Sequence, residues 1–455
     1  MTSNSSSVRR KRVLVVHGLT NRSRGNSVLL TKSFSSYSRG IDFHYINILG
    51  FMACQESDEE YDLAVVTSDA LSLRSYSFWP DLESRLVRLL GKARRKVLLT
   101  QDEYTFSERI DTLATRSRVD AVWAVVSNDL GRLFPNTYSR GVRFEHCLTG
   151  YVDDEHDTNY VEFTKDYSTR EIDLGQRVST LSLIFGESGK RKAEIATLLA
   201  EEFEVRGFNV DVSTDPSQVL LGDEWIRFLG DTKFTVSRKG GSSIADRAGY
   251  MFESLERINA LLPRLPENLK ARLVSKRKVL FGSWTAESPR LFEAAALGVC
   301  QILEEDVYLN GDMQPWIHYL PLKSDFSNVV EIMDFISSEE RVKAVISAAR
   351  ELLVESHSYS YRTFVQAFLT KEIESYHELN QGPSVTIDMD LRSQEVFDAA
   401  KIAITTYFSE TGIIRLLRDL FSPKPPSNMV LYRELNALEL LPEVFTESWM
   451  PVSRV

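Results

Sequence analysis

Cysteine is scarce in this chain. Cys54, Cys147 and Cys300 lie far apart along 455 residues, which excludes a disulfide framework and any zinc-like ligand spacing. So sparse and odd a count fits a reducing, cytoplasmic setting. Only seven histidines are present, and neither a Ser/His/Asp order nor a Cys/His spacing stands out, so nothing supports a serine hydrolase or a zinc enzyme. No apolar run approaches the length of a membrane span. Residues 1–12 are Ser-rich and end in Arg-Arg-Lys-Arg before one short apolar strand. That pattern lacks the apolar core of a signal peptide and reads as a disordered tail. Surplus positive charge is missing too: the net charge is -10, which argues against a general affinity for nucleic acid or anionic membranes. There is no internal repeat and no long low-complexity segment.

What the chain does have is alternation. Short apolar strands at 12–16, 42–46, 62–67, 96–100, 121–126 and 142–147 are separated by helical spacing at 27–37, 79–91 and 106–115. Apolar strands interleaved with helices predict a parallel sheet covered on both faces. Residues 151–170 are polar and without period, as in a linker. A second alternating block follows. It has helices at 190–206, 223–229 and 249–261, strands at 209–212, 233–237, 278–281 and 300–303, and closing helices at 339–355 and 361–376. Beyond a break, 394–408 and 412–420 have helical patterning and 423–426 is Pro-rich. The expected organisation is a tail (1–12), an α/β domain (13–150), a linker (151–170), a second α/β domain (171–378) and a helical extension (379–455). Two tandem Rossmann-like, doubly wound domains bind ligands in the cleft at the carboxyl ends of their strands.

The segment 281–298, Phe-Gly-Ser-Trp-Thr-Ala-Glu-Ser-Pro-Arg-Leu-Phe-Glu-Ala-Ala-Ala-Leu-Gly, holds the strongest chemical signal. It reads as a loop feeding a buried helix, with Ser288 as N-cap and Pro289 at the first helical position. Arg290 and Glu293 lie three apart on an otherwise apolar helix and share a face. A helix N-terminus with an arginine suits phosphate, and a carboxylate one turn deeper suits sugar hydroxyls, which together fit a nucleotide sugar. The plain alternative is a helix ion pair.

Other stretches carry weaker signals. Residues 186–192, Gly-Glu-Ser-Gly-Lys-Arg-Lys, form a Gly-containing turn opening a helix, with Lys192 as a point charge for phosphate or as part of a solvated basic turn. The spacing is not a Walker motif. Residues 238–243, Arg-Lys-Gly-Gly-Ser-Ser, form either an anion nest through Gly241, Ser242 and Ser243 or a plain strand-to-helix loop. Asp102, after the strand 96–100, is placed as a general base toward an acceptor hydroxyl or as a helix N-cap. His17, after the first strand, is a base, a phosphate donor or a structural histidine. Asp388 and Asp390 are the nearest thing to an Asp-x-Asp pair, but they lie in the extension and look like the chemistry of a helix start.

Taken together, 90–370 resembles the GT-B fold glycosyltransferases, in particular the bacterial CgeB-like, group 1 family. The matching elements are Gln101–Tyr104, Leu148–Tyr151, an Asp-x-Gly-x-Arg strand from Asp173 to Arg177, the Gly186–Lys192 turn, Gly241–Ser243 with Asp246, the Ser288–Ala296 helix and a run from His318 to Asn328. The resemblance implies a metal-independent, hexosyltransferase-like enzyme that needs no cofactor. It would move a sugar from a nucleotide-sugar donor to an acceptor hydroxyl. The donor would lie in the second domain, against Arg177, Lys192, Gly241, Ser242, Ser243, Ser288, Arg290 and Glu293. The acceptor would lie on the first domain, near Asp102 and His17. No nucleic-acid partner is expected. The chain has Thr285 where retaining relatives carry the first of two glutamates, and Glu187 where the family has arginine. Those two positions favour the alternative of a binding protein that kept the fold and lost transfer. An epimerase of similar fold is the third reading.

Overall fold

A computed structural model describes residues 10–20, 23–49, 60–76, 78–153, 160, 162–178, 183–220, 222–274, 276–374, 376 and 385–387. Its strands in chain order are β1 (Lys11–His17), β2 (Ile41–Asn47), β3 (Tyr61–Val66), β4 (Ala93–Leu99), β5 (Ala121–Ala124), β6 (Arg143–His146), β7 (Ile172–Arg177), β8 (Val210–Ser213), β9 (Thr232–Ser237), β10 (Gly240–Ala245), β11 (Leu280–Ala286), β12 (Cys300–Glu304), β13 (Leu320–Leu322) and β14 (Val385–Ile387).

Two parallel sheets result. The first runs β14-β2-β1-β3-β4-β5-β6 and the second β13-β12-β9-β7-β8. Val13, Leu14, Val15 and Val16 of β1 are fully buried, as a central strand covered on both faces must be. The chain turns one way from β1 to β2 and the other way to β3, so the first sheet reverses direction between β1 and β3. The second sheet does the same between β7 and β9. Such reversals open a crevice at the strand carboxyl ends. The two tandem doubly wound domains expected from the sequence are therefore present.

The chain crosses between the sheets twice, and the crossings are pinned together. Val152 accepts from the Tyr361 N–H (2.9 Å) and donates to the Tyr359 carbonyl (2.9 Å). After the second crossing the helix Tyr361–Glu372 returns to the first sheet and buries Phe364, Phe368 and Leu369 in its core. Complete burial of one such side chain contributes about 1.5–3 kcal/mol. Glu372, also buried, takes the Arg95 Nε–H (2.7 Å), the Trp123 indole N–H (2.7 Å) and Arg143 (2.5 Å). Cutting that carboxylate away would leave two guanidinium groups without their shared partner.

A third connection was not foreseen. β10 and β11 pair antiparallel as a separate two-stranded ribbon. Ala245, Trp284 and Ala286 of this ribbon join the core of the first sheet. Asn128 and Arg132 of the first domain donate to the Ser283 (2.6 Å) and Phe281 (3.2 Å) carbonyls. The stretch expected as a loop from Phe281 to Glu287 is therefore mostly strand, longer than the 278–281 strand expected there. Its inward anchor is Trp284.

Most helices lie within a few residues of expectation. The Gly186–Val205 helix begins four residues earlier than expected, and the one at 339–355 divides into an α-helix, Glu339–Arg350, and a π-helical turn, Glu351–Glu355. Within the extension expected to be helical, the backbone of β14 instead adds a parallel strand beside β2. The helices expected at 394–408 and 412–420, the Asp388–Asp390 pair, Cys54 and the tail through residue 9 lie outside the described residues.

Candidate functional site

The reversal between β7 and β9 is where the second sheet gathers its polar chemistry. The cavity there is lined by Gln176, Trp225, Thr235, Ser237, Arg238, Ser288, Arg290, Gln301 and Tyr308, with Leu229, Leu291, Ala294 and Leu303 as its apolar wall. Gln176 is a polar residue in a buried strand and is only 1% exposed. Its amide donates to the Val236 carbonyl, and its Oε1 accepts from Arg290 Nη1 (3.2 Å). One buried amide thus ties β7 to β9 and aims the arginine.

Arg290 opens the short helix Arg290–Ala296, whose apolar face packs on β12. The guanidinium lies over the Trp225 ring, 4.8 Å from its centroid. The same indole donates through Nε1 to Glu293 Oε2 (2.8 Å). No ion pair joins Arg290 to Glu293 directly; Trp225 stands between them, stacking on one and bonding the other. Burial raises the Glu293 pKa, while the indole bond and Arg290 oppose the shift. Ser288 lines the cavity but does not cap the helix with its hydroxyl. Pro289 occupies the N-cap position, and the Ser288 carbonyl accepts from Leu291 N–H (3.0 Å). The fixed φ of proline (here -53°) already starts the helix, so Ser288 falls one residue too early to cap it.

Further cations stand near Arg290 and Arg238, which line this cavity. Lys192, on the first turns of the Gly186–Val205 helix, is pushed down to about 7, first by burial and then by Arg290, Arg238 and Arg24. Arg24 comes from the other domain, at the start of the helix Gly25–Ser36. Next to it Asn26 donates to the Thr149 carbonyl (3.1 Å), Thr149 Oγ1 donates to the Glu287 carbonyl (2.6 Å), and Gly150 lies against Pro289. The first domain therefore meets the second at the mouth of this cavity. Arg238 keeps one partner, Glu304 (3.1 Å), which Arg191 shares (2.7 Å). Lys239 pairs with the buried Glu287 (3.3 Å). Among the described residues, no ion pair involves Lys192.

Several expected contacts are used elsewhere. Arg177 faces away from the cavity, because neighbours on a strand alternate sides and Gln176 takes the inward one. It donates to the Asp211 carbonyl (2.8 Å) and carboxylate (2.8 Å) and lies over Phe228. Gly241, Ser242 and Ser243 sit within β10 rather than in an anion nest. Gly241 holds φ +124°, and a Cβ there would fall 2.0 Å from the Trp284 carbonyl, so only glycine lets the ribbon close. The Ser242 hydroxyl donates to the Ile244 carbonyl (2.6 Å). Thr285 pairs with Gly241 across the ribbon, and Glu187 is exposed and bonded to Lys190 (3.0 Å).

The facing end of the first sheet is of opposite character. His17 is fully buried at the end of β1, and burial lowers its pKa to about 4. Its Nδ1 accepts from Leu19 N–H (3.3 Å), so the neutral ring carries its proton on Nε2, an atom with no partner among the described residues. Asp69 accepts from Gly18 N–H (2.6 Å) and is raised by burial. Asp102 follows β4 in the left-handed region (φ 54°). It is exposed and takes the Tyr104 hydroxyl on Oδ1 (2.5 Å). The buried Arg74 holds this turn through the Gln101 (3.1 Å), Asp102 (2.7 Å) and Thr105 (2.9 Å) carbonyls. Asp102 is not a helix cap, since the next helix starts at Ser107 with Phe106 before it.

The structure therefore brings Lys192, Ser288, Arg290 and Glu293 together and adds Gln176, Trp225, Arg238 and Arg24. Gln176 had a legible signal, an amide inside a buried strand. Arg24 had none, since it meets the others only across the cleft. Among the described residues no group of three or more His, Cys, Asp or Glu side chains could hold a metal ion, and no helix is long and apolar enough to cross a membrane.

No family model and no curated protein matches the sequence. Among solved structures, the chain is similar to Anabaena HepE in complex with UDP-glucose, at 10% identity, covering 79% of this chain and 99% of that one with a TM-score of 0.44. It is similar to a glycosyltransferase from Rickettsia africae at 11% identity, over 82% and 99% of the two chains, TM-score 0.44. The T4 phage BGT in complex with UDP and Mn2+ aligns at 10% identity over 80% and 100%, TM-score 0.43.

Proposed function

We propose that this protein is a glycosyltransferase that moves a sugar from a nucleoside-diphosphate sugar to an acceptor hydroxyl. The observation that carries the reading is the cavity lined by Arg290, Arg238, Gln176 and Ser288, with Lys192 and Arg24 close enough for Arg290, Arg238 and Arg24 to add to the burial that lowers the Lys192 pKa. Like charges gathered in a half-buried site repel one another, and a diphosphate relieves that repulsion. Preformed cations at that point would stabilise the negative charge that develops on a departing diphosphate. They would do so without a metal, so the reaction is expected to be metal-independent.

In this reading Arg290 forks onto phosphate, held in position by Gln176 and Trp225. Glu293, with Oε2 taken by the indole, would offer Oε1 to the ribose hydroxyls. Ser288 would contact the diphosphate at the cavity mouth. Asp102 would take the acceptor proton as the glycosidic bond forms. His17, with its proton on Nε2, would serve as a hydrogen-bond donor rather than as the base. The finer grouping with the bacterial CgeB-like enzymes, the hexose class of the sugar and a cytoplasmic setting belong to the same proposal. They rest on the Gly186–Lys192, Ser288–Ala296 and His318–Asn328 motifs and on the sparse cysteines.

A thermal-shift screen of nucleoside diphosphates and nucleotide sugars tests the donor half. A ligand at a hundred times its Kd stabilises the folded state by about 2.7 kcal/mol. If no diphosphate raises the melting temperature, the reading fails. Thr285 and Glu187 support a second reading, a binding protein without transfer. Mass spectrometry of products formed with and without an acceptor separates the two.

A further inference from the structure

The ribbon β10–β11 is joined by a helical pair, Tyr250–Leu261 and Glu267–Leu273. Its inner face buries Met251, Leu255 and Val274 against Ile184. Its outer face does not follow the usual rule for a surface. Leu261 (46%), Leu262 (49%), Leu269 (39%) and Leu273 (59%) are exposed, and Phe281 (66%) follows at the start of β11. Five of the twelve exposed large apolar side chains among the described residues fall in this one stretch. Elsewhere such side chains are scattered, which needs no explanation; a cluster does.

Charge accompanies the leucines. Arg264, Arg272, Lys276, Arg277 and Lys278 are exposed between 260 and 281. The exposed carboxylate there is Glu267, and Lys270 already neutralises it at 2.7 Å. The rest of the chain is acidic enough to leave a net charge of -10 overall. A short amphipathic unit with leucines projecting and cations around them matches a bilayer surface of anionic lipid. The apolar tips reach the acyl boundary while the cations stay at phosphate level. Long-range repulsion from the acidic remainder is screened beyond about 8 Å at physiological salt, so the contact patch governs.

We propose that the 250–281 helical pair docks this protein onto anionic membrane surfaces. The net charge excludes a general affinity for such surfaces, and the patch confines that affinity to one face. Full-length protein is sedimented with vesicles of phosphatidylcholine alone and of phosphatidylcholine mixed with phosphatidylglycerol. It pellets with the mixed vesicles only, and less as salt rises. Two independent variants probe the face, Leu269→Ser with Leu273→Ser, and Arg272→Glu with Lys276→Glu and Lys278→Glu. All five positions are exposed, so folding is retained, and unchanged thermal unfolding verifies it. Each variant binds the mixed vesicles roughly tenfold or more weakly. Equal pelleting with both vesicle types, none with either, or full binding by both variants overturns the proposal. Light scattering that shows a dimer lost in the leucine variant assigns the face to a second copy instead, and overturns it equally.

Discussion

The two sheets end in opposite chemistry. At the carboxyl edge of the first, His17 is buried and Asp69 half-buried, the imidazole neutral and the carboxyl raised by desolvation, with a backbone N–H group bound to each. At the edge of the second, Arg238 and Arg290 line one cavity, Lys192 stands near enough for both to help lower its pKa, and Arg24 adds to that from across the cleft. One backbone architecture thus supplies a wall with a neutral buried imidazole and an exposed carboxylate, and a wall rich in cations. The difference lies in what each reversal point receives. In the first, a turn supplies one N–H group each to His17 and Asp69; in the second, three helix starts and the turn after β9 deliver long cations from different parts of the chain.

The largest effect should come from the first sheet. Asp102→Asn is expected to cut turnover about 10²–10⁴-fold while leaving nucleotide affinity nearly unchanged, since general-base participation is of that size. Near-normal turnover at saturating acceptor would make Asp102 a structural partner of Tyr104 and would place acceptor activation elsewhere.

On the cationic side, Arg290→Ala removes a charge-assisted contact of roughly 1.5–3 kcal/mol, so calorimetry should record a nucleoside diphosphate bound ten- to a hundredfold more weakly. Glu293→Gln keeps a partner for the Trp225 indole and tests only the charge. A smaller loss than with Arg290→Ala is expected, because the amide still accepts a ribose hydroxyl. Unchanged affinity in both variants would reduce the Arg290, Trp225 and Glu293 arrangement to packing.

A pH experiment sharpens the contrast. Lys192 stands near 7 when the cavity is empty, and a diphosphate raises it, because a nearby opposite charge favours the protonated form. Binding above pH 7 must therefore take up a proton. Affinity should fall with rising pH by up to about tenfold per unit, until the pKa of the complex is reached. Titrations in buffers of different ionisation enthalpy measure that proton, and Lys192→Met should abolish it. If wild type binds with no proton uptake at pH 8, the cationic wall is not the anion site.

The same residue carries a stability effect of opposite sign. Its folded pKa, about 7, lies below the ordinary 10.5, so the unfolded chain holds more protons between those values. Stability rises with pH through that window, and the penalty is fully present below 7. Lys192→Met should therefore raise the melting temperature of the ligand-free protein at pH 7 and below, with the gain shrinking toward pH 10. Each kcal/mol recovered is worth roughly 2–4 °C if the second domain unfolds as a unit of about 200 residues. The smallest expected effect is that of chelation: on the proposal that the cations around Arg290 stabilise the leaving diphosphate, transfer should survive EDTA. Loss of activity restored by manganese would put a metal where the cations are proposed to act.

By itself the sequence determined the two alternating α/β blocks, because apolar strands and amphipathic helices announce themselves by local period. It also determined the placement of Arg290 and Glu293 on one helix face, and Lys192 at the start of its helix. Tertiary structure decided the rest. The β10–β11 ribbon pairs residues some forty positions apart, and nothing in the local pattern of Gly241 or Thr285 indicates a partner at that separation. Arg177 was diverted to Asp211 because only the pleat assigns Gln176 to the inner face. Trp225 came between Arg290 and Glu293 because its helix packs on theirs. Arg24 joined the cluster because two domains meet there. Each of these depends on distance in space between residues remote in sequence, and periodicity, which is local, carries no information about it.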